Sequence, residues 1–206
     1  MELTERDYLI LGVVHKFRFC FGRHVMAMTG FNGQRAADKR LRTLVESGYL
    51  GRKKYLYGTP YLYTLTHKGR ILLGVNKRAE KIRVERITHD VYVIESAIYF
   101  INKYRIFLGD IESEKELHIK DGFGVRKHQP DFAFTHNSKS YAIEVELSPK
   151  AKERQEKNIL DNYLNYDVQI WITDDKKVNE QTESFKNVYS NLELLSLEEV
   201  RQNIGK

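Results

Sequence analysis

A single cysteine, Cys20, stands in a chain of 206 residues. It excludes an internal disulfide and a cysteine-based zinc site. Its apolar and aromatic neighbours predict a buried, inert thiol, and a reducing cytoplasm is the expected setting. Long apolar runs are missing too. None reaches the ~18 residues that a membrane span needs, so no membrane partner is expected. The opening Met1-Glu2-Leu3-Thr4-Glu5 is acidic and lacks the basic-then-apolar order of a secretory signal. No internal repeat or low-complexity tract is present. Gly109 and Gly122-x-Gly124 are too sparse, and too far from a strand-to-helix turn, to cradle phosphate. His89, His118, His128 and His136 do not stand at zinc-ligand spacing.

What the chain does have is charge, unevenly placed. Lys and Arg number 34 against 28 Asp and Glu, a net of +6. Residues 1–86 carry a net +11 and the remainder −5. A basic module is therefore joined to a mildly acidic one, and a polyanion such as nucleic acid is the leading partner class for the first. The plainer alternative is a solvated basic surface, which charge alone does not exclude. Apolar content of 41% is enough for a buried core.

Helical spacing of Leu9, Ile10, Val13, Val14 and Phe17 predicts a helix from Thr4, its cap, to about Arg18. Gly22 is expected to break the pattern before a short helix from Arg23 to Thr29. A third helix from Gln34 to Glu46, stopped by Gly48, has two faces. Ala37, Leu41, Leu44 and Val45 form one, and Arg35, Lys39 and Arg42 the other. The basic run Arg52-Lys53-Lys54 then leads into two strand-like stretches. These are Tyr55–Tyr57 and Tyr61–Leu65, around Gly58-Thr59-Pro60, and together they read as a hairpin. A short helix opens at Thr66. Residues 76–86 read as a charged linker or bridging helix.

The second module begins near Ile87, with Ile87, Val91, Ile94, Ile98 and Ile101 on one helix face. Strands are expected at Arg105–Leu108, Glu116–Lys120, Asp131–Thr135 and Tyr141–Leu147. The last two are joined by His136-Asn137-Ser138-Lys139. Pro149 is placed to open a helix running to about Tyr166. A buried strand follows at Val168–Thr173, then a helix over Lys177–Asn187, a strand at Leu192–Leu195 and a helix capped by Ser196.

The chemistry-bearing string is Pro130-Asp131-Phe132, then Ile143-Glu144-Val145-Glu146, then Lys150. Strand residues alternate, so Glu144 and Glu146 share a face while Val145 enters a core. Asp131 can join them from the neighbouring strand. Clustered carboxylates repel, and hard oxygen donors suit Mg²⁺ or Mn²⁺. Asp131, Glu144 and Glu146 are the candidate ligands, with the Val145 carbonyl as a further donor. Lys150 is the candidate stabiliser of phosphate charge. Glu95 could add a carboxylate, and His128, just before Gln129-Pro130-Asp131, is a candidate to approach the cleft, with a surface loop histidine as the alternative.

Three resemblances follow from these residues. Helix, helix, helix, hairpin within residues 4–74, with Gly48-Tyr49-Leu50 and Tyr63-Thr64-Leu65-Thr66-His67-Lys68-Gly69, resembles bacterial winged helix-turn-helix domains. That implies double-stranded DNA as partner, met by Arg35, Lys39 and Arg42 on the third helix and by Arg52, Lys53 and Lys54 on the wing. A homodimer on paired half-sites would suit such a domain, but no coiled-coil heptads specify one. The second module resembles the PD-(D/E)xK nuclease core, an α/β restriction-endonuclease-like fold, with Glu146 where that pattern usually has Lys. Taken together, the modules resemble the replication-relaxation family, which includes relaxase-like plasmid mobilisation proteins. The matching positions are Pro130, Asp131, Glu144, Glu146, Leu147, Ser148, Lys150 and Arg154. The resemblance implies a DNA-processing protein of a mobile element, in which Lys150 and Arg154 hold phosphate from one helix.

Two functions are open on this reading. One is a metal-dependent endonuclease or nickase. The other is a non-catalytic replication or transcription regulator whose nuclease-like module serves assembly, as Glu146 in the lysine position would suit. The carboxylates could also be an ordinary solvated strand face. Tyr163 and Tyr166 follow the acidic motif, but as residues of a packed helix they read as core contacts and not as nucleophiles.

Overall fold

The structure is a computed structural model that describes residues 2–55, 57–75, 81–122, 124, 127–202 and 204. It is mixed α/β and divides into two compact units, residues 1–94 and 95–206.

In the first unit α1 (Glu5–Lys16), α2 (Gly22–Thr29) and α3 (Gln34–Glu46) precede a two-stranded antiparallel sheet. Its strands are β1 (Leu50–Lys53) and β2 (Leu62–Leu65), paired from Leu50↔Leu65 to Lys53↔Leu62. Helix α4 (His67–Leu72) follows. The Thr4 backbone N–H and hydroxyl both donate to Asp7, closing the start of α1. Asp7 also accepts Arg40 Nε at 2.6 Å, which ties α1 to α3. The core is Ile10, Val14, Phe19, Val25, Leu41, Leu44 and Leu50. Cys20 is buried, its thiol pushed well up by desolvation, and it exchanges backbone hydrogen bonds with Tyr63.

Two expectations are corrected here. The helices break before Gly22 as expected, but α2 takes in Gly22 itself, one residue earlier than Arg23, and an added Cβ there would stand 2.9 Å from Asp38 Oδ1 and Gln34 Nε2 of α3. The first hairpin strand is Leu50–Lys53 and not Tyr55–Tyr57, so Arg52 and Lys53 lie in the strand; Leu56 lies outside the described residues. Buried Leu50 facing Leu65 sets that register, which outweighs the aromatic alternation farther along. Close packing also fixes α4: a Cβ on Gly69 would fall 2.3 Å from the Tyr49 carbonyl oxygen. In the linker, residues 76–80 lie outside the described residues, 81–83 are not helical, and Val84–Arg86 form a 3-10 turn.

Helix α5 (Ile87–Tyr104) starts where the isoleucine spacing predicts, and the division at 94/95 falls inside it. The second unit is a five-stranded sheet ordered β3-β4-β5-β6-β7. Its strands are β3 (Glu112–Ser113), β4 (Phe132–His136), β5 (Lys139–Val145), β6 (Val168–Ile172) and β7 (Leu192–Leu195). The first three run antiparallel and the last two parallel. Helix α6 (Glu114–Asp121) lies between β3 and β4, α7 (Lys152–Asn165) crosses from β5 to β6, and α8 (Lys176–Glu183) and α9 (Leu197–Gln202) complete the unit. Phe132, Phe134 and Tyr141 form one sheet face against Phe100 and Tyr104 of α5. Ala142, Glu144, Gln169 and Trp171 form the other, against Ile159 and Asn162 of α7. Asn137 and Ser138 both have positive φ, the geometry of a two-residue hairpin turn.

The strands expected at Arg105–Leu108 and Glu116–Lys120 are not strands. The first is a turn after α5, in which Arg105 has φ +53, leading into a 3-10 turn at Leu108–Asp110, and the second lies in α6. The cause is a capping box: the Ser113 N–H and hydroxyl both donate to Glu116 (2.8 and 2.7 Å), committing the segment to a helix. Helix α7 starts at Lys152 and not Pro149, because Ala151 is extended (ψ 139°). Lys150 therefore precedes the helix, and it does not share a helical face with Arg154.

Candidate functional site

The start of β4 and the end of the central strand β5 gather the acidic string. Asp131, just before β4, accepts the Val145 N–H on Oδ2 at 2.8 Å. This pins the start of one strand to the end of its neighbour. Glu144 and Glu146 follow the alternation expected of them, with Val145 facing the opposite way into the core. Neither glutamate is a solvated strand residue: their relative exposures are 4% and 6%. A carboxylate taken that far from water needs partners. Glu144 Oε1 has two, His128 Nε2 at 2.5 Å and the Asn162 Nδ2 amide at 3.0 Å. Glu146 Oε2 is ion-paired with Lys150, which reaches back from the bend before α7.

The titration directions follow from this crowding. Burial pushes the Glu146 carboxyl above its ordinary range; Lys150 opposes the rise, and Glu144 and Asp131 add to it. Burial disfavours charge on His128, but the contact with Glu144 wins and holds the imidazole above its usual value. Asp131, Glu144 and Glu146 therefore act on one another across one small volume, offset by one lysine and one histidine.

This donor chemistry fits a hard divalent ion. The carboxylates are oxygen donors, and the negative charge pressing on Glu146 is what a cation would relieve. Among the described residues no three His, Cys, Asp or Glu side chains form a ready-made cage. Mg²⁺ is ordinarily held by one or two carboxylates plus waters, a demand that Asp131 and Glu144 can meet.

The structure thus joins Asp131, Glu144, Glu146 and Lys150, and brings His128 to them. Glu95 is buried on α5, the helix that covers the opposite sheet face. Arg154 is exposed on α7. Sequence reasoning missed Asn162. Its signal was a polar stripe where a helix should present apolar residues: Gln155, Asn158 and Asn162 are all buried on one face of α7. Tyr166, just after α7, is pushed up to about 12 by burial and by Glu112, Asp121 and Glu144. Its hydroxyl stays protonated and donates to Gln129.

The first unit carries a second set of candidates. Arg35, Lys39 and Arg42 are exposed along one ridge of α3. Beside it lies a groove of about 510 Å³ whose lining includes Gln34, Asp38, Arg42, Arg52, Lys54 and Tyr61. Arg52 and Lys54 both stand over the Tyr61 ring (5.0 and 5.2 Å), and Lys53 over Tyr55 (5.0 Å). No helix among the described residues is long and apolar enough to cross a membrane. No family model, no curated protein and no solved structure matches the chain.

Proposed function

We propose that the protein binds double-stranded DNA through a winged helix-turn-helix in its first unit and nicks or cleaves it by phosphodiester hydrolysis with its second. The observation that carries the reading is the convergence of Asp131, Glu144, Glu146 and Lys150 where β4 begins and β5 ends. Three helices followed by an antiparallel hairpin support the winged-helix assignment. Helix, antiparallel three-stranded meander, helix and parallel strand support a restriction-endonuclease-like core. On the same footing, the resemblance to the replication-relaxation family implies a role in replication or mobilisation of a mobile element.

Asp131 and Glu144, with the Val145 carbonyl, are the residues that would hold Mg²⁺ or Mn²⁺. When bound, such an ion supplies Lewis acidity, acidifying water and drawing charge from the scissile phosphate. The protein's own groups do the rest. His128 and Asn162 fix the Glu144 carboxylate in one orientation. Glu146, with its raised pKa, is suited to accept the proton of the attacking water. Lys150 exchanges its bond to Glu146 for the phosphate and stabilises charge that grows there. The α3 ridge and the hairpin cations hold the duplex.

Glu146 in the lysine position favours a second reading, a DNA-binding regulator that does not cut. Supercoiled plasmid separates the two. Conversion to open circles in Mg²⁺ or Mn²⁺, abolished by chelator and by Lys150→Ala, is expected of the nickase. Retarded but uncut DNA under every divalent ion would leave only the regulator.

A further inference from the structure

A second, smaller cavity lies in the first unit, apart from the α3 ridge. It measures about 280 Å³ and is lined by Arg18, Phe19, Lys81, Ile82, Arg83, Arg86 and Asp90. Four cations thus surround one carboxylate. Asp90 accounts for a single charge, through Arg18 (3.6 Å) and with His89 beside it (3.5 Å). The lining keeps a net +3. Cations crowded into a concavity repel one another, and an anion that enters relieves this.

Arg18 gives an independent sign that the cluster has a use. It follows the end of α1 with φ +68, a left-handed conformation. Glycine or asparagine takes that conformation at little cost, whereas a long side chain is disfavoured there by roughly 1 kcal/mol or more. A helix stop alone would be better served by glycine. What arginine adds is a guanidinium directed to Asp90 and into the cavity.

From these features we infer that the cavity is a phosphate-binding site, separate from the surface proposed to hold duplex DNA. Three guanidinium groups present planar forks that match phosphate oxygens, and Lys81 adds a point charge. A net +3 calls for a dianion or trianion, so the ligand class is a phosphate monoester or a diphosphate and not a monocarboxylate. A volume of about 280 Å³ accommodates one such group with little else. The phosphate can come from a free diphosphate or from a phosphorylated DNA end, which share this chemistry.

Calorimetric titration of the full chain with inorganic pyrophosphate tests the site. Arg18→Gly keeps a backbone conformation that glycine prefers, so the fold is retained. Arg18→Gly, and Arg83→Ala with Arg86→Ala, should each weaken pyrophosphate binding roughly tenfold or more, as lost charge-assisted hydrogen bonds do. Asp90→Asn removes the one carboxylate and should tighten it. Arg35→Ala with Lys39→Ala should leave it unchanged. Displacement of pyrophosphate by a 5′-phosphorylated duplex, but not by its unphosphorylated twin, assigns the group to a DNA end; no displacement by either assigns it to a free ligand. The inference is overturned if pyrophosphate does not bind at millimolar concentration. It is equally overturned if Arg35→Ala with Lys39→Ala abolishes binding while the cavity variants retain it.

Discussion

The two units treat charge in opposite ways. In the first, the basic side chains of α3 and the hairpin stand in water around an apolar core, and the buried carboxylate of Asp7 is cancelled by Arg40. In the second, Glu144 and Glu146 sink to a few per cent exposure beside Asp131, with Lys150 and His128 set against them. Exposed charge spread over a ridge and a hairpin suits a long, regular polyanion, and its effect weakens with salt. Buried charge gathered at the ends of two strands destabilises the fold unless it is paired, and its effect is local. On the proposed function, the first arrangement retains DNA and the second carries out the chemistry.

The widest separation between the units comes from Glu144→Ala. On the proposed function it should lower divalent-ion-dependent nicking by roughly 100-fold or more, while DNA retention by the first unit is unchanged. Plasmid conversion and gel shift, run on the same preparation, read the two effects. Equal loss of both would mean that the units do not divide the work.

Next in size is the stability of the first unit. Arg40→Ala strands the Asp7 carboxylate and should cost about 3 kcal/mol, as breaking a buried ion pair does. Burial alone would raise the Asp7 pKa, but the hydrogen bonds from Arg40 and Thr4 hold it below its ordinary 3.8. A depressed folded-state pKa gives stability that is fully present above about pH 4. That stability is lost as pH falls from there through the folded value. Denaturant unfolding of the parent should therefore weaken below pH 4, and Arg40→Ala should flatten that dependence. A parent and variant with parallel acid profiles would remove the pair from this account.

Smaller is the change expected of Arg35→Ala with Lys39→Ala. Each phosphate contact contributes about 1 to the slope of log K against log salt, so the double variant should flatten that slope by about 2. Nicking of plasmid at low salt should persist. An unaltered slope would take α3 out of the DNA interface.

Much of this contrast was legible in the sequence, because charge asymmetry and the period-2 alternation at Glu144-Val145-Glu146 survive folding directly. The helices of the first unit were legible for the same reason, since Leu41 and Leu44 recur at the helical period. What escaped was set by tertiary contacts. Asn162 reaches Glu144 only because α7 crosses over the sheet, and the sequence offered His128 only as a neighbour of the acids and not as the partner of Glu144. The hairpin register depends on Leu50 meeting Leu65, and no window around Tyr55 contains that fact. Lys150 was legible as a cation beside the acids, but neither its pairing with Glu146 nor its place before the helix was.

One miss was local and therefore avoidable. Ser113-Glu114-Lys115-Glu116 is a capping box, and it outweighs the strand-like spacing of Leu117 and Ile119. Ser113→Ala removes the hydroxyl's bond to Glu116 but leaves the backbone N–H bond to the same carboxylate. It should cost about 1 kcal/mol, a shift of a few degrees in the melting of the second unit. Ser113 also pairs with Phe132 at the sheet edge that precedes the acidic cluster. If α6 merely decorates that edge, nicking should survive the substitution at temperatures where the unit remains folded. A loss of cutting with melting unchanged would show that the cap also positions Asp131, whose carbonyl accepts the Glu114 N–H at 3.0 Å.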